Sequence, residues 1–450
     1  MFLGILKIIM NKKLPNIYLN LPSILYSKTK PTAFPDATCI LFNDDLAEEF
    51  GITKETFYGH NTLEVFSGCD TTCWQQPISL AYAGHQFGHF VPQLGDGRAH
   101  LLGQVMDKAG QSWDIQLKGS GRTPYSRGGD GLSRLGPALR EYIMSEAMHH
   151  LDIPTTRTLA VISSGEAVQR DTQVPGGLSV RVARSHLRVG TFEFLMARQD
   201  IPAMEDTLNF VIEQYYPGLQ TEKNKALSLF SAIIKKQARL VAKWMGVGFI
   251  HGVMNTDNVS IIGDTIDYGP CAFMNTYNPR TVYSSIDREE RYSYGNQPNA
   301  MGWNLSRLAQ AMLPLFDSDY EKGAKLATEL MEGYDACFKK EWRAVFCEKL
   351  GNQQLSDADI ATYLLELEHQ KKDMTLAFRH THGQVPNPIY IPRNHWVDRA
   401  IRESEERDDL SLIQDLTSVL KSPFTERPGG AKFTDPPGEG EDVLATFCGT

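Results

Sequence analysis

The chain has 450 residues, of which 42% are hydrophobic and 22% charged, the composition of an ordinary soluble globular protein with a large core. A formal net charge of −9 argues against non-specific binding to nucleic acid or to an anionic membrane surface. No apolar run reaches the length of a membrane span, and the apolar opening MFLGILKIIM precedes its basic pair, unlike a signal peptide. Seven scattered cysteines indicate a reducing compartment rather than a disulfide framework.

The first 60 residues are predicted to form an N-terminal arm. Prolines interrupt it, and DDLAEEFG at residues 44–51 predicts one short capped helix. Beyond the arm, the pattern C-x3-C followed by H-x3-H presents residue types that bind zinc, namely Cys69, Cys73, His85 and His89. We favour ordinary structural roles for these four residues, because Gly84, Gly88 and Pro92 disfavour a regular helix between the histidines.

Glycine and positive charge are concentrated together between residues 95 and 131. Two strands are predicted there, at residues 99–105 and 111–117, and the second leads into Lys118. Glycine lets backbone N–H groups approach a phosphate, and arginine or lysine adds charge-assisted hydrogen bonds to the same oxygens. One such loop alone is as readily a hairpin turn, but three in an acidic chain predict phosphate binding. The residues concerned are Gly95, Gly97, Arg98, Lys118, Arg122, Arg127, Asp130 and Gly131.

A helix is predicted over residues 133–151, with Ser133 as its N-cap. It carries Glu141 and Glu146. A kinase orients its nucleotide with a strand lysine paired to a helix glutamate, which makes Lys118 and Glu141 the candidate pair. The alternative is that both glutamates lie on the solvent-exposed face of the helix, as most helical glutamates do.

More strands are predicted next, at residues 159–162, 167–170 and 178–183, with a turn at residues 163–166. Alternation along the last strand places Arg181 on the face opposite its apolar residues. Arg188 follows at the predicted start of a helix. Both arginines could be ordinary surface residues, or they could clamp a phosphate in the cleft that Lys118 also faces.

The second half of the chain is predicted to be helical. Helices are expected at residues 226–245, 303–315, 320–338 and beyond residue 357, with a long polar loop at residues 270–300. A β-rich half with glycine loops, followed by a helical half, predicts an α+β, two-lobed nucleotide-binding fold with the ligand between the lobes.

The stretch FIHGVMNTDNVSIIGDTIDYG, residues 249–269, joins the two halves. Its residue types predict a hairpin, with strands at residues 259–262 and 265–266, that holds Asn258 and Asp267 at its two ends. Carboxylate and amide oxygens in this arrangement bind Mg²⁺ in phosphoryl-transfer enzymes.

The same stretch departs from a kinase catalytic loop at one position. His251 and Asn258 have the spacing of the kinase histidine and its metal-binding asparagine, but Val253 stands where a kinase has its base aspartate. The nearest carboxylate is Asp257. The stretch therefore predicts a kinase-like site whose base has been lost or moved.

Three segments resemble the selenoprotein O family, called YdiU in bacteria: SLAYAGHQFGHFVPQLGDGRAHLLG, DIQLKGSGRTPYSRGGDG, and HGVMNTDN followed by DYGPCAFM. The resemblance implies a protein-kinase-like fold with a β-rich N-lobe and a helical C-lobe. It also implies an adenylyltransferase that binds ATP end for end relative to kinases and moves AMP onto Ser, Thr or Tyr hydroxyls of protein substrates. We expect Mg²⁺ or Mn²⁺ as cofactor and a monomer in the bacterial cytoplasm, or in mitochondria for a eukaryotic source.

The resemblance implies a role for each matching position. The residues expected to line the ATP site are Gly95, Gly97, Arg98, Asp130 and Gly131. Those expected to contact phosphate or to form the orienting ion pair are Lys118, Glu141, Arg181 and Arg188. Those expected to bind Mg²⁺ are Asn258 and Asp267, and the expected proton acceptor is Asp257.

The predicted organisation is an arm at residues 1–60, an N-lobe at 61–189, a C-lobe at 190–420 and a tail at 421–450. The family often ends in a redox-active cysteine or selenocysteine. Cys448 occupies that place here, and Cys271 is its candidate disulfide partner, or else a small buried residue.

Two other functions stay open beside AMP transfer. The first is ordinary phosphoryl transfer, which Val253 disfavours. The second is a non-catalytic nucleotide-binding scaffold, which would not need the full set of Lys118, Asp257, Asn258 and Asp267.

Overall fold

Strands dominate the first part of the chain and helices the second, in a computed structural model that describes residues 13–59, 62–379, 381 and 387–447. The strands are β1 (Tyr26–Lys28), β2 (Thr38–Phe42), β3 (Ile78–Leu80), β4 (Gly84–Gln86), β5 (His89–Val91), β6 (Ala99–Met106), β7 (Ser112–Lys118), β8 (Arg157–Gln169), β9 (Gln173–Ala183), β10 (Phe249–Ile250) and β11 (Ala272–Phe273).

The helices follow the same numbering from the N-terminus. They are α1 (Asp44–Glu49), α2 (Lys54–Gly59), α3 (Thr62–Phe66), α4 (Leu135–His150), α5 (Val189–Met196), α6 (Ile201–Tyr215), α7 (Lys225–Gly246), α8 (Gln297–Phe316), α9 (Tyr320–Glu332), α10 (Tyr334–Leu350), α11 (Asp357–His369), α12 (Met374–Arg379), α13 (Asn394–Arg407) and α14 (Ser411–Leu420). Short 3₁₀ turns lie at Ile17–Asn20, Ser23–Leu25, Pro217–Leu219, Thr256–Asn258, Tyr294–Asn296 and Ala431–Phe433.

An antiparallel sheet with the strand order β1-β3-β6-β7-β9-β8-β2 forms the core of the first lobe. The strands predicted at residues 99–105, 111–117 and 178–183 are confirmed as β6, β7 and β9. The central strand β7 pairs with β9 so that Gln116 lies opposite Arg181 and Lys118 opposite Ser179. Because side chains alternate along a strand, Lys118 and Arg181 emerge on one face of the sheet while Leu117 and Val180 face the other.

Each face of this sheet is covered by different elements. Helix α4 packs against β8 and β9 on the face that carries Lys118 and Arg181. The opposite face packs against apolar residues of α1 to α3, including Leu46, Phe57 and Phe66. Since both faces are covered, the few polar side chains that point inwards must find partners within the protein.

Two local predictions about this lobe are wrong. The turn expected at residues 163–166 is a bulge within one long strand, β8, because β9 supplies pairing partners on both sides of it. Helix α4 begins at Leu135 with Arg134 at the N-cap, not at Ser133. The predicted arm contributes β1 and β2, which are the two edge strands of the sheet.

The second lobe is built from helices, which confirms the α+β, two-lobed prediction. Helix α7 buries the predicted apolar face, including Leu229, Ile233 and Leu240. The helix expected over residues 320–338 is instead two helices, α9 and α10, which meet at Gly333. Among the described residues, no helix combines the length and apolar character needed to span a membrane.

The hairpin predicted within residues 249–269 is wrong. Ser260 forms an isolated bridge with Arg188, and Thr265 forms one with Thr155, so the two predicted strands pair with different distant segments and not with each other. Val259 and Ile261 are apolar because they are buried in the core between the lobes, not because they form a regular strand. After β10, the stretch is therefore a mostly buried loop whose regular structure is the 3₁₀ turn Thr256–Asn258.

Candidate functional site

A cavity of about 760 Å³ lies between the sheet and the loop at residues 249–269. It is lined by nearly all the predicted site residues: Gly95, Gly97, Arg98, Lys118, Asp130, Gly131, Arg181, Arg188, Asp257, Asn258 and Asp267. Glu141 is not part of the lining but lies directly behind it, in contact with Lys118. The fold thus gathers residues that are far apart in sequence around one space large enough for a nucleotide.

Four charged side chains form a closed network on the sheet side of this cavity. Lys118 Nζ donates to Glu141 Oε2 at 2.7 Å and to Asp267 Oδ1 at 2.6 Å. Arg181 Nε donates to Glu141 Oε1 at 2.9 Å, and its Nη2 donates to Asp267 Oδ1 at 2.6 Å. The predicted contact between Lys118 and Glu141 is present, and Glu141 is buried rather than solvent-exposed.

The two carboxylates of this network remain ionised despite their burial. Burial by itself would raise the pKa of Glu141, but Arg181 and Lys118 together hold that pKa below its ordinary value. Burial opposes ionisation of Asp267 as well, and Lys118, Arg181 and Arg188 hold its pKa well below the ordinary range. Both carboxylates are therefore ionised at neutral pH.

Arg188 connects this network to the loop that carries Asp257. It is the N-cap residue of α5 and is buried. Its Nη1 donates to the backbone carbonyl of Asp257 at 3.0 Å and lies 3.5 Å from Asp267 Oδ2. Its guanidinium also stacks on the ring of Tyr82, 4.5 Å from the ring centroid. Arg181 and Arg188 are thus held in the site by carboxylates. The alternative that they are ordinary surface residues is wrong.

Asp257 has the environment of a proton acceptor. Its side chain is buried in the 3₁₀ turn Thr256–Asn258, where Oδ2 accepts a hydrogen bond from Gln86 Nε2 at 3.2 Å while Oδ1 has no partner within the described part of the chain. Burial raises the pKa of Asp257 to about 6, against the opposing effect of Arg188. A carboxylate with one unpaired oxygen and a pKa near neutrality suits general-base catalysis.

Asn258 and Asp267, the predicted metal ligands, line the same cavity and carry oxygen donors. Asn258 Nδ2 donates to the carbonyl of Val253 at 3.0 Å, which fixes the orientation of the amide. Asp267 adopts a left-handed backbone conformation, with φ of 65°, that is uncommon for a residue with a side chain. Amide and carboxylate oxygens are the ligands that Mg²⁺ prefers, and Asp257 lines the same cavity.

The glycine loops on the other side of the cavity are tightly packed. A Cβ at Gly95 would lie 2.5 Å from Tyr125 Cγ, and a Cβ at Gly131 would lie 2.1 Å from the Gly121 carbonyl oxygen. Asp130 is exposed and forms an ion pair with Arg170 at 2.8 Å. These glycines are required by the close packing of the backbone that forms the cavity wall.

Cys73 and His85, from the C-x3-C and H-x3-H pattern, lie in separate surroundings. Cys73 packs in the apolar cluster under the sheet, whereas His85 Nδ1 lies 2.5 Å from Glu193 Oε1 beside the cavity. Gln86, next to His85, lines the cavity but was not among the predicted site residues, although it lies in one of the three segments that carry the family resemblance.

The C-terminal tail reaches the edge of the site. Thr446 forms a bridge with Ser284, and its Oγ1 donates to the carbonyl of Pro270 at 2.5 Å. Cys271, the next residue, is buried, and burial raises the pKa of its thiol to about 12. Cys448 lies outside the described residues, so the Cys271–Cys448 disulfide stays a prediction.

Comparison with known proteins identifies the family. Residues 9–370 match the family model described as Protein adenylyltransferase SelO. The chain is 42% identical to the Protein nucleotidyltransferase YdiU of Rhizobium rhizogenes strain K84, over 97% of this chain and 96% of that protein. It is 43% identical to the protein of that name from Rhizobium meliloti strain 1021, over 97% of this chain and 99% of that protein.

Among solved structures, the rhoptry antigen kinase domain of Toxoplasma gondii aligns with 66% of this chain and 84% of its own, at 12% identity and a TM-score of 0.27. At that low score, the kinase-like organisation rests on the chain's own elements. These are a lysine on a central strand, a glutamate on the following helix, and an asparagine and an aspartate at the junction with the helical lobe. The extent and identity of the sequence matches show that the chain belongs to the SelO family of protein adenylyltransferases.

Proposed function

We propose that this protein transfers AMP from ATP to Ser, Thr or Tyr hydroxyl groups of other proteins, with Mg²⁺ or Mn²⁺ as cofactor, and that it acts as a monomer in the bacterial cytoplasm. The observation that carries this proposal is the position of Asp257. It is a buried carboxylate with one unpaired oxygen, and it faces the same cavity as the Lys118 and Arg181 network. Val253, which stands at the position of a kinase base, cannot accept a proton.

The reaction is a substitution at the α-phosphorus of ATP. The acceptor hydroxyl oxygen forms a bond to the α-phosphorus, the bond from that phosphorus to the bridging oxygen of the β-phosphate breaks, and pyrophosphate leaves. The hydroxyl proton passes to Asp257. Positioning and charge stabilisation supply most of the rate in such transfers, so a displaced aspartate suffices where it reaches the hydroxyl.

The cationic side chains would hold the phosphates of an ATP that enters end for end relative to a kinase. Arg181 and Arg188 would bind the β- and γ-phosphates, which form the leaving group, through bidentate contacts. Both arginines contact Asp267, so phosphate would compete with this carboxylate for them. Lys118, oriented by Glu141, would contact a phosphate oxygen.

Asn258 and Asp267 would hold the divalent cation. When bound, such a cation neutralises phosphate charge and favours departure of pyrophosphate. Release of Asp267 from the arginines by incoming phosphate would leave its oxygens available to the metal.

Labelled ATP distinguishes this function from the two alternatives. With Mg²⁺ and a protein acceptor, we expect label from α-labelled ATP on protein and none from γ-labelled ATP. Label from the γ position would indicate a kinase, and tight ATP binding without transfer of either label would indicate a scaffold.

Asp257→Ala tests the proposed role of Asp257 as the proton acceptor. We expect this variant to bind ATP with nearly unchanged affinity and to lose AMP transfer. Asp264→Ala is the matched control, because Asp264 is a second aspartate of the same loop whose pKa burial raises to about 6, yet it does not line the cavity. Transfer by Asp257→Ala at the parent rate would refute the role of Asp257 as base.

A further inference from the structure

The β4–β5 hairpin contacts three consecutive residues of the loop that carries Asp257. Gln86 Nε2 donates to Asp257 Oδ2 at 3.2 Å. The backbone N–H of His85 donates to Thr256 Oγ1 at 2.6 Å. The backbone N–H of Phe87 donates to the side-chain oxygen of Asn255 at 3.0 Å. The GHQFGHF segment therefore holds Asn255, Thr256 and Asp257 in place through three hydrogen bonds.

Gly84 and Gln86 together fix the carboxylate of Asp257. A Cβ at Gly84 would lie 2.7 Å from Asp257 Oδ1 and 2.9 Å from Asp257 Cβ, so the aspartate packs directly on the glycine backbone. Gln86 holds the other oxygen, Oδ2, and among the described residues Oδ1 has no hydrogen-bond partner. With Oδ2 hydrogen-bonded to Gln86 and Oδ1 packed against the backbone of Gly84, the carboxylate is held in one orientation.

His85 anchors the strand that carries Gln86. Its Nδ1 lies 2.5 Å from Glu193 Oε1, and Glu193 belongs to α5, the helix whose N-cap residue Arg188 binds the carbonyl of Asp257. The ring of His85 also contacts the ring of Trp303 edge-on, at a centroid distance of 5.2 Å. Helix α5 thus braces the Asp257 loop twice, directly through Arg188 and indirectly through the hairpin.

We propose that Gln86 is a positioning residue for AMP transfer, and that its hydrogen bond to Oδ2 holds the carboxylate of Asp257, which lines the cavity, in the orientation that the acceptor hydroxyl requires. His85 and Glu193 hold the hairpin in the position that this contact requires. This inference rests on the proposed function, in which Asp257 accepts the hydroxyl proton.

Gln86→Met tests the inference, because methionine keeps the length and approximate volume of glutamine and removes the N–H donor. One hydrogen bond to a charged group corresponds to a roughly tenfold effect, so we expect kcat for AMP transfer to fall about tenfold. The KM for ATP should stay within experimental error of the parent, and the thermal midpoint should fall by no more than about 2 °C. His89→Ala is the control, since His89 pairs with Gln86 across the hairpin but its side chain is exposed.

The remaining outcomes overturn the inference in distinguishable ways. An unchanged kcat would show that the contact has no role, and a higher KM for ATP with unchanged kcat would assign Gln86 to nucleotide binding. A fall in the thermal midpoint well beyond about 2 °C, with losses in both kcat and ATP binding, would show a structural role. The parent chain and Asp257→Ala are measured in the same assay. Failure of the parent to transfer α-label would overturn the proposed function itself, whereas an active parent with an unaffected Gln86→Met overturns only the role of Gln86.

Discussion

Replacing Glu141 by glutamine removes one negative charge from the buried network and changes the side-chain size very little. In the parent protein, Glu141 accepts hydrogen bonds from Lys118 Nζ at 2.7 Å and from Arg181 Nε at 2.9 Å. The glutamine amide has one oxygen acceptor in place of two, and its NH₂ group would face a cation. Arg181 is almost fully buried, so it cannot recover the lost interaction from water.

The expected loss of stability follows from these contacts. Removing one partner of a buried ion pair costs about 3–5 kcal/mol. Asp267 remains in contact with both cations, which places the expected value near the lower limit, about 3 kcal/mol. With an unfolding entropy of about 2.1 cal/mol/K per residue, a chain of 450 residues should lose about 3 °C in its thermal midpoint.

Glu146→Gln provides a matched comparison on the same helix. Glu146 is equally buried and holds Arg157 through two hydrogen bonds of 2.7 and 2.6 Å, but it does not contact the large cavity. Thermal unfolding and transfer of α-label from ATP are measured for both variants. We expect both to lose stability, and only Glu141→Gln to lose most of its AMP transfer. A Glu141→Gln variant with the parent's midpoint and rate would refute the reasoning, as would an equal loss of transfer in Glu146→Gln.

Three further predictions concern the proposed metal ligand Asp267, the half-buried Lys349 and the C-terminal cysteine. Asp267→Ala should lower Mg²⁺-dependent AMP transfer at least about a hundredfold, measured at saturating ATP, and a rate near the parent's would exclude Asp267 as a metal ligand. Burial lowers the pKa of Lys349 from 10.5 to about 7, so the unfolded chain binds the extra proton between these values and this lysine destabilises the fold most below pH 7. The free energy of unfolding of Lys349→Met, measured in urea, should therefore exceed the parent's by about 2 kcal/mol at pH 6, and the difference should vanish near pH 10.5. A difference that does not depend on pH would contradict this reasoning. After treatment with oxidant and unfolding, the number of labelled thiols should fall by two, those of Cys271 and Cys448, and Cys448→Ser should abolish that fall. Full labelling of the oxidised parent would refute the predicted disulfide.

The strands of the sheet were predictable from the sequence where apolar and polar residues alternate and a charged residue stands out on the polar face or at the strand end. β7 alternates apolar residues up to Lys118, and β9 does so around Arg181. The bulge in β8 could not be separated from a turn, because a polar Ser-Gly-containing segment suits both and the choice depends on the pairing with β9.

The loop at residues 249–269 shows the limit of periodicity. The short apolar run at residues 259–262 has the composition of a strand, but burial explains the same composition without any strand. What gathers Asn258 and Asp267 is pairing with distant segments at Arg188 and Thr155, which no local pattern contains.

The charged residues of the site illustrate a second limit. The sequence placed Glu141 and Glu146 on one helix but could not show that each holds a different buried arginine, Arg181 and Arg157. Arg157 and Arg181 lie on strands that follow the helix in the chain. Which arginine each glutamate contacts depends on how the sheet packs against α4.

The positions of β1 and β2 have a consequence for how the protein is made. These two strands are synthesised first, yet they form opposite edges of the sheet, and their partners β3 and β8 come later in the chain. At about 5–20 residues per second, β2 must wait on the order of ten seconds before β8 has emerged. A chain that began after residue 42 would lack both strands, and the open edges of β3 and β8 would be free to pair with other copies and aggregate.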